Sequence, residues 1–410
     1  MHPDMCQDIV PDIRDFLLDR RETSPTTPRM ASTWLDLDVP PSRLRLEPTL
    51  MSGMSFRWAR RTTDGEVTYI GVLGHHIFEV KEDESTCFFR THTGADANLT
   101  RALLVEHLSL DRGAEPSAWT DPPAQFLRAA AAQPGVRVLT IPHLEALVTF
   151  VGSANNNIAR NMQMVAALAA AFPANSLGHD LYGAEHFAFP SAADLRALSE
   201  ATLWELGWGY RAPRIFTLAR QLAERGDEAF LDGLALDDEA SARAALLELC
   251  GVGRKVADCI LLMSFSYDGC VPVDTHCFQL AQAWLCPSVR GKSLTAANYQ
   301  AIVDRFHVLF GDDMAGWAFM TLFCAAPLAN GLRGAKAAAE ETAVVEEAAP
   351  TEKPKRKPPK RRAEAASPPP SKARRARKKV DDDDDPPTQP VEAPATPARE
   401  RTLRSGRVRG

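Results

Sequence analysis

The spacing of apolar residues changes character near position 140 of this chain. Before it, Thr68–Leu73 (TYIGVL) and His76–Val80 (HIFEV) are short β-rich runs joined at Gly74-His75, and Asp64-Gly65 is a second hairpin signal. Runs of this length and composition, bounded by turn residues, predict antiparallel strands over 35–140. After it, the apolar run Leu147–Val151 is followed by segments with helical spacing, Met162–Phe172 (MQMVAALAAAF) and Ser241–Leu249 (SARAALLEL). Pro142 stands where a helix tolerates proline, at its first residue. Ser191-Ala-Ala-Asp194 has the spacing of a capping box. The pattern predicts an α+β protein, with an antiparallel β-rich domain over 35–140 and a mostly helical domain over 141–330. Residues 1–34 lack strong apolar periodicity and are expected to be a flexible extension. Residues 331–410 collapse to Ala, Pro, Lys, Arg and Asp, a composition that predicts disorder.

One segment of the helical half carries chemistry. Leu249-Cys250-Gly251-Val252-Gly253-Arg254-Lys255-Val256-Ala257-Asp258-Cys259 is followed by Val271-Pro272-Val273-Asp274. Gly251 and Gly253 allow the positive φ of a tight turn between helices, and Val252 between them is placed to plug that turn into the core. The next helix, Lys255–Met263, opens with unpaired N–H groups that attract a phosphate whatever the base. A helix–turn–helix corner with no ligand has the same outline. Lys255, at the positive end of that helix dipole, is expected to have its ammonium form disfavoured, as a Schiff-base lysine requires. An exposed helix lysine is the plainer alternative, but its neighbours Val256, Ala257, Ile260, Leu261 and Leu262 predict a buried helix. Asp274 precedes a plausible helix and is a natural N-cap. A capping carboxylate stays ionised, so the same residue can steady a cationic sugar.

The run GVGRKVADC…VPVDTH resembles the helix-hairpin-helix–Gly/Pro…Asp superfamily of DNA glycosylases and, more narrowly, the eukaryotic 8-oxoguanine DNA glycosylase/AP lyases. Three further segments carry the narrower resemblance, in order over roughly 35–330: Ser52-Gly53-Met54-Ser55-Phe56-Arg57-Trp58, Asn155-Asn156-Asn157-Ile158-Ala159-Arg160 and Leu206-Gly207-Trp208-Gly209-Tyr210-Arg211-Ala212. The resemblance implies that Lys255 attacks C1′ of the damaged nucleotide, forms a Schiff base and permits β-elimination, with Asp274 stabilising the transition state. It implies that the Gly53 carbonyl reads N7–H of 8-oxoguanine and that Cys259, Met263, Phe319 and Phe323 form the base pocket. Asn155 would fill the vacated space, Asn156 and Asn157 would join it in binding DNA, Arg160 and Arg211 would contact the widowed cytosine, and Tyr210 would wedge the stack. Gly251, Gly253 and His276 would hold phosphates. The implied partner is double-stranded DNA containing oxidised guanine opposite cytosine, bound by a monomer without cofactor or metal.

The residues themselves leave plainer readings open. Asn155-Asn156-Asn157 is also a linker turn by composition, Tyr210-Arg211 also a surface pair, and Cys259 also a small buried hydrophobe. The chain departs from the family at Phe319, where the family carries a glutamine two residues after Gly316-Trp317, and it has one residue more before Ala315. A phenylalanine cannot read donors and acceptors, so formamidopyrimidine guanine lesions are expected to be excised comparably with 8-oxoguanine.

Charge and cysteine content refine the picture. The 410 residues sum to −6, but residues 331–410 hold 20 basic and 13 acidic side chains while the remainder holds 27 and 40. An acidic body predicts that Arg57, Arg160, Arg211, Arg254 and Lys255 together make a local basic face. Eight cysteines with no C-x-x-C pair, and with Cys270, Cys277 and Cys286 wrongly spaced for an iron–sulfur cluster, point to a reducing compartment. No run approaches a membrane span. Lys353–Arg362 and Lys372–Lys379 resemble a nuclear-localisation signal, beside the acidic block Asp381–Asp385, and a solvating tail is the alternative. Asp4, Asp8, Asp12, Asp15 and Asp19 argue against a mitochondrial presequence. Another glycosylase specificity of the same superfamily and a non-catalytic DNA-binding scaffold are the rival functions. A scaffold has no use for Lys255 and Asp274 together.

Overall fold

A computed structural model describes residues 33–112, 119 and 122–325. The N-terminal extension up to residue 32 and the basic–acidic tail therefore lie outside the described residues. Five strands form an antiparallel sheet in the order β1-β5-β4-β3-β2, with β1 at Leu35–Asp36, β2 at Trp58–Thr63, β3 at Glu66–Leu73, β4 at His76–Glu82 and β5 at Cys87–Thr91. The β3–β4 hairpin pairs Leu73 with His76 and Tyr69 with Val80, so its turn falls at Gly74-His75 as the sequence predicts. Thr68–Leu73 is buried residue after residue, so the centre of the sheet is covered on both faces.

The N-terminal portion is less purely β than its sequence suggests. It also contains α1 (Leu46–Leu50), α2 (Ala97–His107) and α3 (Ala124–Ala132). The signal for α2 was present: the Asp96 carboxylate accepts the N–H groups of Asn98 and Leu99, a local N-cap. Helices α4 (His143–Ser153), α5 (Ile158–Ala170), α6 (Ala192–Ala197), α7 (Glu200–Glu205), α8 (Ala212–Arg225), α9 (Glu228–Leu234), α10 (Glu239–Leu247), α11 (Arg254–Met263), α12 (Thr275–Leu280), α13 (Ala296–Phe310) and α14 (Ala315–Ala325) follow. Between α5 and α6 a two-stranded sheet, β6 (Ser176–His179) with β7 (Glu185–Phe187), interrupts the helical portion. Pro142 is the N-cap of α4, with ψ of 138°, rather than its first helical residue. The capping box at Ser191 and Asp194 forms as predicted, opening α6.

Sheet and helices share one apolar core that runs without a break from Leu37 to Ala325. Trp58 of β2 stacks on His107 of α2 at 5.8 Å, and its indole N–H donates to Nε2 over 3.0 Å. The other ring nitrogen of His107 bonds the Thr140 carbonyl at 2.7 Å, just ahead of α4. Burial pushes this imidazole down to about 4. It is therefore neutral near pH 7, accepting at one nitrogen and donating at the other. No single helix among the described residues is long and apolar enough to cross a membrane.

Candidate active site and nucleic-acid interface

The hairpin is built by α10, the six-residue turn 248–253 and α11. Asp238 opens α10 by accepting the N–H groups of Ala240 and Ser241. Gly251 has φ of +86°, and a Cβ there would lie 3.0 Å from Cγ1 of Val151 in α4, so conformation and space both require glycine. Gly253 does not share that role. It is extended, at φ −95° and ψ 177°, and is the N-cap of α11. One left-handed residue completes the turn; the second glycine leaves the first N–H groups of α11 uncovered by any side chain. Val252 is 7% exposed and fills the turn from inside, as expected.

Lys255 is the second residue of α11 and is half-buried. Its Nζ lies 5.7 Å from the ring centroid of Phe150 on α4, and its side chain bonds the Cys259 thiol one turn further along. Burial pushes that thiol up, against the pull of Lys255. Asp274 is the N-cap of α12, accepting the Cys277 N–H at 2.7 Å. Cys277 is pushed well above its ordinary value by burial and by Asp274, and Cys259 also feels the Asp274 charge. Two elements separated in sequence thus bring an amine and a carboxylate within electrostatic reach of one buried thiol, that of Cys259. This is the arrangement that covalent attack on an electrophilic carbon with electrostatic support requires.

A buried polar chain sets that arrangement, and sequence reasoning missed it. Asp258, 1% exposed on α11, accepts from Arg243 Nε of α10 at 2.8 Å and from the Tyr299 hydroxyl of α13 at 2.6 Å. The same hydroxyl accepts the Val273 N–H at 3.0 Å, one residue before Asp274. Burial, with Asp258 beside it, holds the Tyr299 phenol far above its usual range. The helix of Lys255 is therefore tied to the backbone of Asp274 through one carboxylate and one phenol. The Arg254/Asp258 pair, 3.7 Å apart and four residues apart on α11, was the local signal for it. Nothing local points to Tyr299.

The pocket residues divide. Gly53 has φ of +88°, and a Cβ there would lie 3.0 Å from the Ile158 side chain of α5. Phe323, partly exposed on α14, stands edge-on to exposed His276 at 6.2 Å and lies 5.7 Å from Phe319. Phe319 is 4% exposed and packs on Phe306 as well as Phe323. Met263, likewise buried, closes α11, and its carbonyl accepts the Ile141 N–H at 2.8 Å.

The three asparagines do three different things. Asn155 is exposed at φ +47°, and its amide alone of the three has no hydrogen bond among the described residues. Asn156 bonds the Gly152 carbonyl at 3.1 Å, and Asn157 caps α5 by accepting the Arg160 N–H at 2.8 Å. Asn155 alone therefore presents an amide with no hydrogen bond of its own among the described residues. Arg211 is 1% exposed, and its guanidinium clamps the carbonyls of Ala154 and Asn155, because a buried guanidinium needs acceptors. Tyr210, 47% exposed, donates its hydroxyl to the same Ala154 carbonyl at 2.9 Å. Arg57 leaves the predicted basic face. It feels the charge of buried Glu145 and bonds the Phe187 carbonyl, while Arg254 is held by Gln300 at 2.6 Å. Arg160 is exposed.

A sheet fused to a helical core that carries a hairpin lysine and, on the next helix, a capping aspartate is the architecture of the helix-hairpin-helix DNA glycosylases. Residues 36–147 match the family described as the N-terminal domain of 8-oxoguanine DNA glycosylase. The N-glycosylase/DNA lyase of Arabidopsis thaliana is 32% identical over 302 residues, covering 71% of this chain and 80% of its own length. That of Saccharomyces cerevisiae is 30% identical over 265 residues, 60% of this chain and 69% of the relative. The fold is shared with the 8-oxoguanine glycosylase/lyase of Clostridium acetobutylicum, solved with double-stranded DNA containing cytosine opposite 8-oxoguanine. The TM-score is 0.58 at 21% identity, over 70% of this chain and 93% of that one. The chain belongs to the 8-oxoguanine DNA glycosylase family and is a DNA N-glycosylase/DNA lyase.

Proposed function

We propose that this enzyme excises oxidised guanine, both 8-oxoguanine and formamidopyrimidine guanine, from opposite cytosine in duplex DNA, acting as a monomer. The observation that carries the chemistry is the coupling of Lys255 to Asp274 through Cys259 and the Asp258–Tyr299–Val273 chain. Lys255 in its free-amine form attacks C1′, and the C1′–N9 bond breaks with its electron pair leaving on the base. The nitrogen, after losing its proton and opening the sugar, forms a Schiff base. Loss of a C2′ proton then expels the 3′ phosphate and nicks the strand. Asp274, its carboxylate fixed by the Cys277 N–H, stabilises the sugar cation in between. Phe323, Cys259 and the Gly53 backbone receive the extruded base, Asn155 and Tyr210 occupy the gap, and Arg160 meets the orphaned cytosine.

Borohydride trapping on a duplex with 8-oxoguanine opposite cytosine tests this. Wild type yields a covalent adduct, and Lys255→Gln yields none while still binding the duplex, because phosphates are held by backbone groups and other residues. An adduct formed by Lys255→Gln would refute the assignment. The basic runs Lys353–Arg362 and Lys372–Lys379 support a nuclear location. Deleting residues 335–410 is expected to release a large fluorescent fusion into the cytoplasm with excision of short duplexes unchanged.

A further inference from the structure

The wedge loop holds a cation that no motif singled out. Arg214, in the first turn of α8, packs its Cβ and Cδ 3.4 Å from the position a Cβ on Gly251 would take, so its stem lies against the phosphate-binding hairpin. Its guanidinium lies 5.5 Å from the ring centroid of Tyr210. The side chain therefore spans the two parts of the interface that the sequence treats as separate motifs.

The local electrostatics are unfavourable without an anion. Arg160, Arg211 and Arg214 converge closely enough that the first and last both depress the guanidinium of Arg211, though burial depresses it more. None of the three has an ion pair among the described residues. Arg214 also sits at the positive end of the α8 dipole, where a cation is disfavoured. Arg211 is occupied by two carbonyls, so it cannot itself neutralise a phosphate. In a body whose first 330 residues carry 40 acidic against 27 basic side chains, three unpaired cations in one place mark where polyanion is received. The stem of Arg214 on the hairpin, rather than on the base pocket, directs its head to the DNA backbone.

We propose that Arg214 makes a phosphate contact that joins the hairpin grip to the Tyr210 wedge, a DNA-binding role for the known reaction. The proposal rests on the glycosylase reading above. The test compares wild type, Arg214→Gln and Arg214→Lys by fluorescence anisotropy on a duplex with 8-oxoguanine opposite cytosine, from 50 to 200 mM salt. One phosphate contact contributes about 0.9 to the slope of log K against log salt. Arg214→Gln is expected to lower that slope by about this amount, losing roughly 3.5-fold less affinity than wild type over the range. Arg214→Lys is expected to keep the wild-type slope. A slope unchanged in Arg214→Gln, or lowered equally in both variants, overturns the proposal while wild-type trapping remains positive. Wild type that neither traps nor binds in a salt-dependent way overturns the glycosylase reading with it. A merely structural role for Arg214 would move the melting temperature and leave the slope alone.

Discussion

Replacing Tyr299 by Phe removes one oxygen from the middle of the chain that links Lys255 to Asp274. Two interactions go with it: the 2.6 Å bond to the buried Asp258 carboxylate and the 3.0 Å bond that satisfies the Val273 N–H. A hydrogen bond to a charged group is worth about 1.5–3 kcal/mol, and a buried N–H left unpaired costs about 1–3 kcal/mol. Asp258 keeps Arg243 at 2.8 Å, which limits the damage. A net loss of about 3 kcal/mol corresponds to a fall in melting temperature of roughly 6–12 °C for a folded region of this size. The catalytic effect should exceed that expected from fewer folded molecules. Val273 precedes Asp274, and a misplacement of about 1 Å can cost on the order of 10²-fold in rate. Single-turnover excision, measured well below the variant's melting temperature, is expected to slow at least tenfold while duplex affinity stays within threefold. Tyr299→Phe with stability and rate both within a factor of two of wild type would refute the positioning argument.

Three further outcomes follow from the same geometry. Asp274→Asn keeps an acceptor for the Cys277 N–H and removes the charge, so single-turnover excision should fall on the order of 10²–10³-fold with little change in melting temperature. Burial pushes Glu145 up to about 7, with Arg57 pulling the other way. Its folded value thus lies above the ordinary 4.5, and the stability it contributes is full below that value and lost as pH rises through 7. Glu145→Gln should therefore gain on wild type between pH 5 and pH 8, read as urea midpoints at the two pH values. Phe319→Gln buries an amide among Phe306 and Phe323, so the free protein should lose about 1–3 kcal/mol. Parallel excision assays on 8-oxoguanine and formamidopyrimidine duplexes should show preference moving toward 8-oxoguanine, where the new amide finds the base edge.

What the sequence reveals depends on how local the cause is. The hairpin, the helix of Lys255 and the cap at Asp274 are each decided within a few residues, by turn chemistry and capping, and all three are legible in the chain. Arg57 and Arg211 are legible as cations, but not as buried ones. Their neighbours are Glu145 on α4, whose charge Arg57 feels, and the carbonyls of Ala154 and Asn155 that Arg211 bonds, brought near only by packing. The triple asparagine reads as a uniform patch of amides, yet Asn155, Asn156 and Asn157 differ in backbone angle and diverge in role. Tyr299 lies 41 residues from Asp258 in a helix whose sequence advertises only its apolar face. The β6–β7 ribbon is hidden because short, bulged strands carry too few alternating positions to register as a pattern.

The clamp of Tyr210 and Arg211 on Ala154 bears on how the enzyme searches. Two side chains of the proposed interface are already immobilised, and so is the loop that presents Asn155. Ordering an interface segment commonly consumes about 0.5–1.5 kcal/mol for each flexible side chain at the moment of association. Here that entropy is lost when the chain folds, so every encounter with DNA, damaged or not, begins with a finished probe. Dwell time at an undamaged pair is then governed by the nucleotide's own reluctance to unstack, and discrimination becomes a property of the DNA that a rigid tool merely measures.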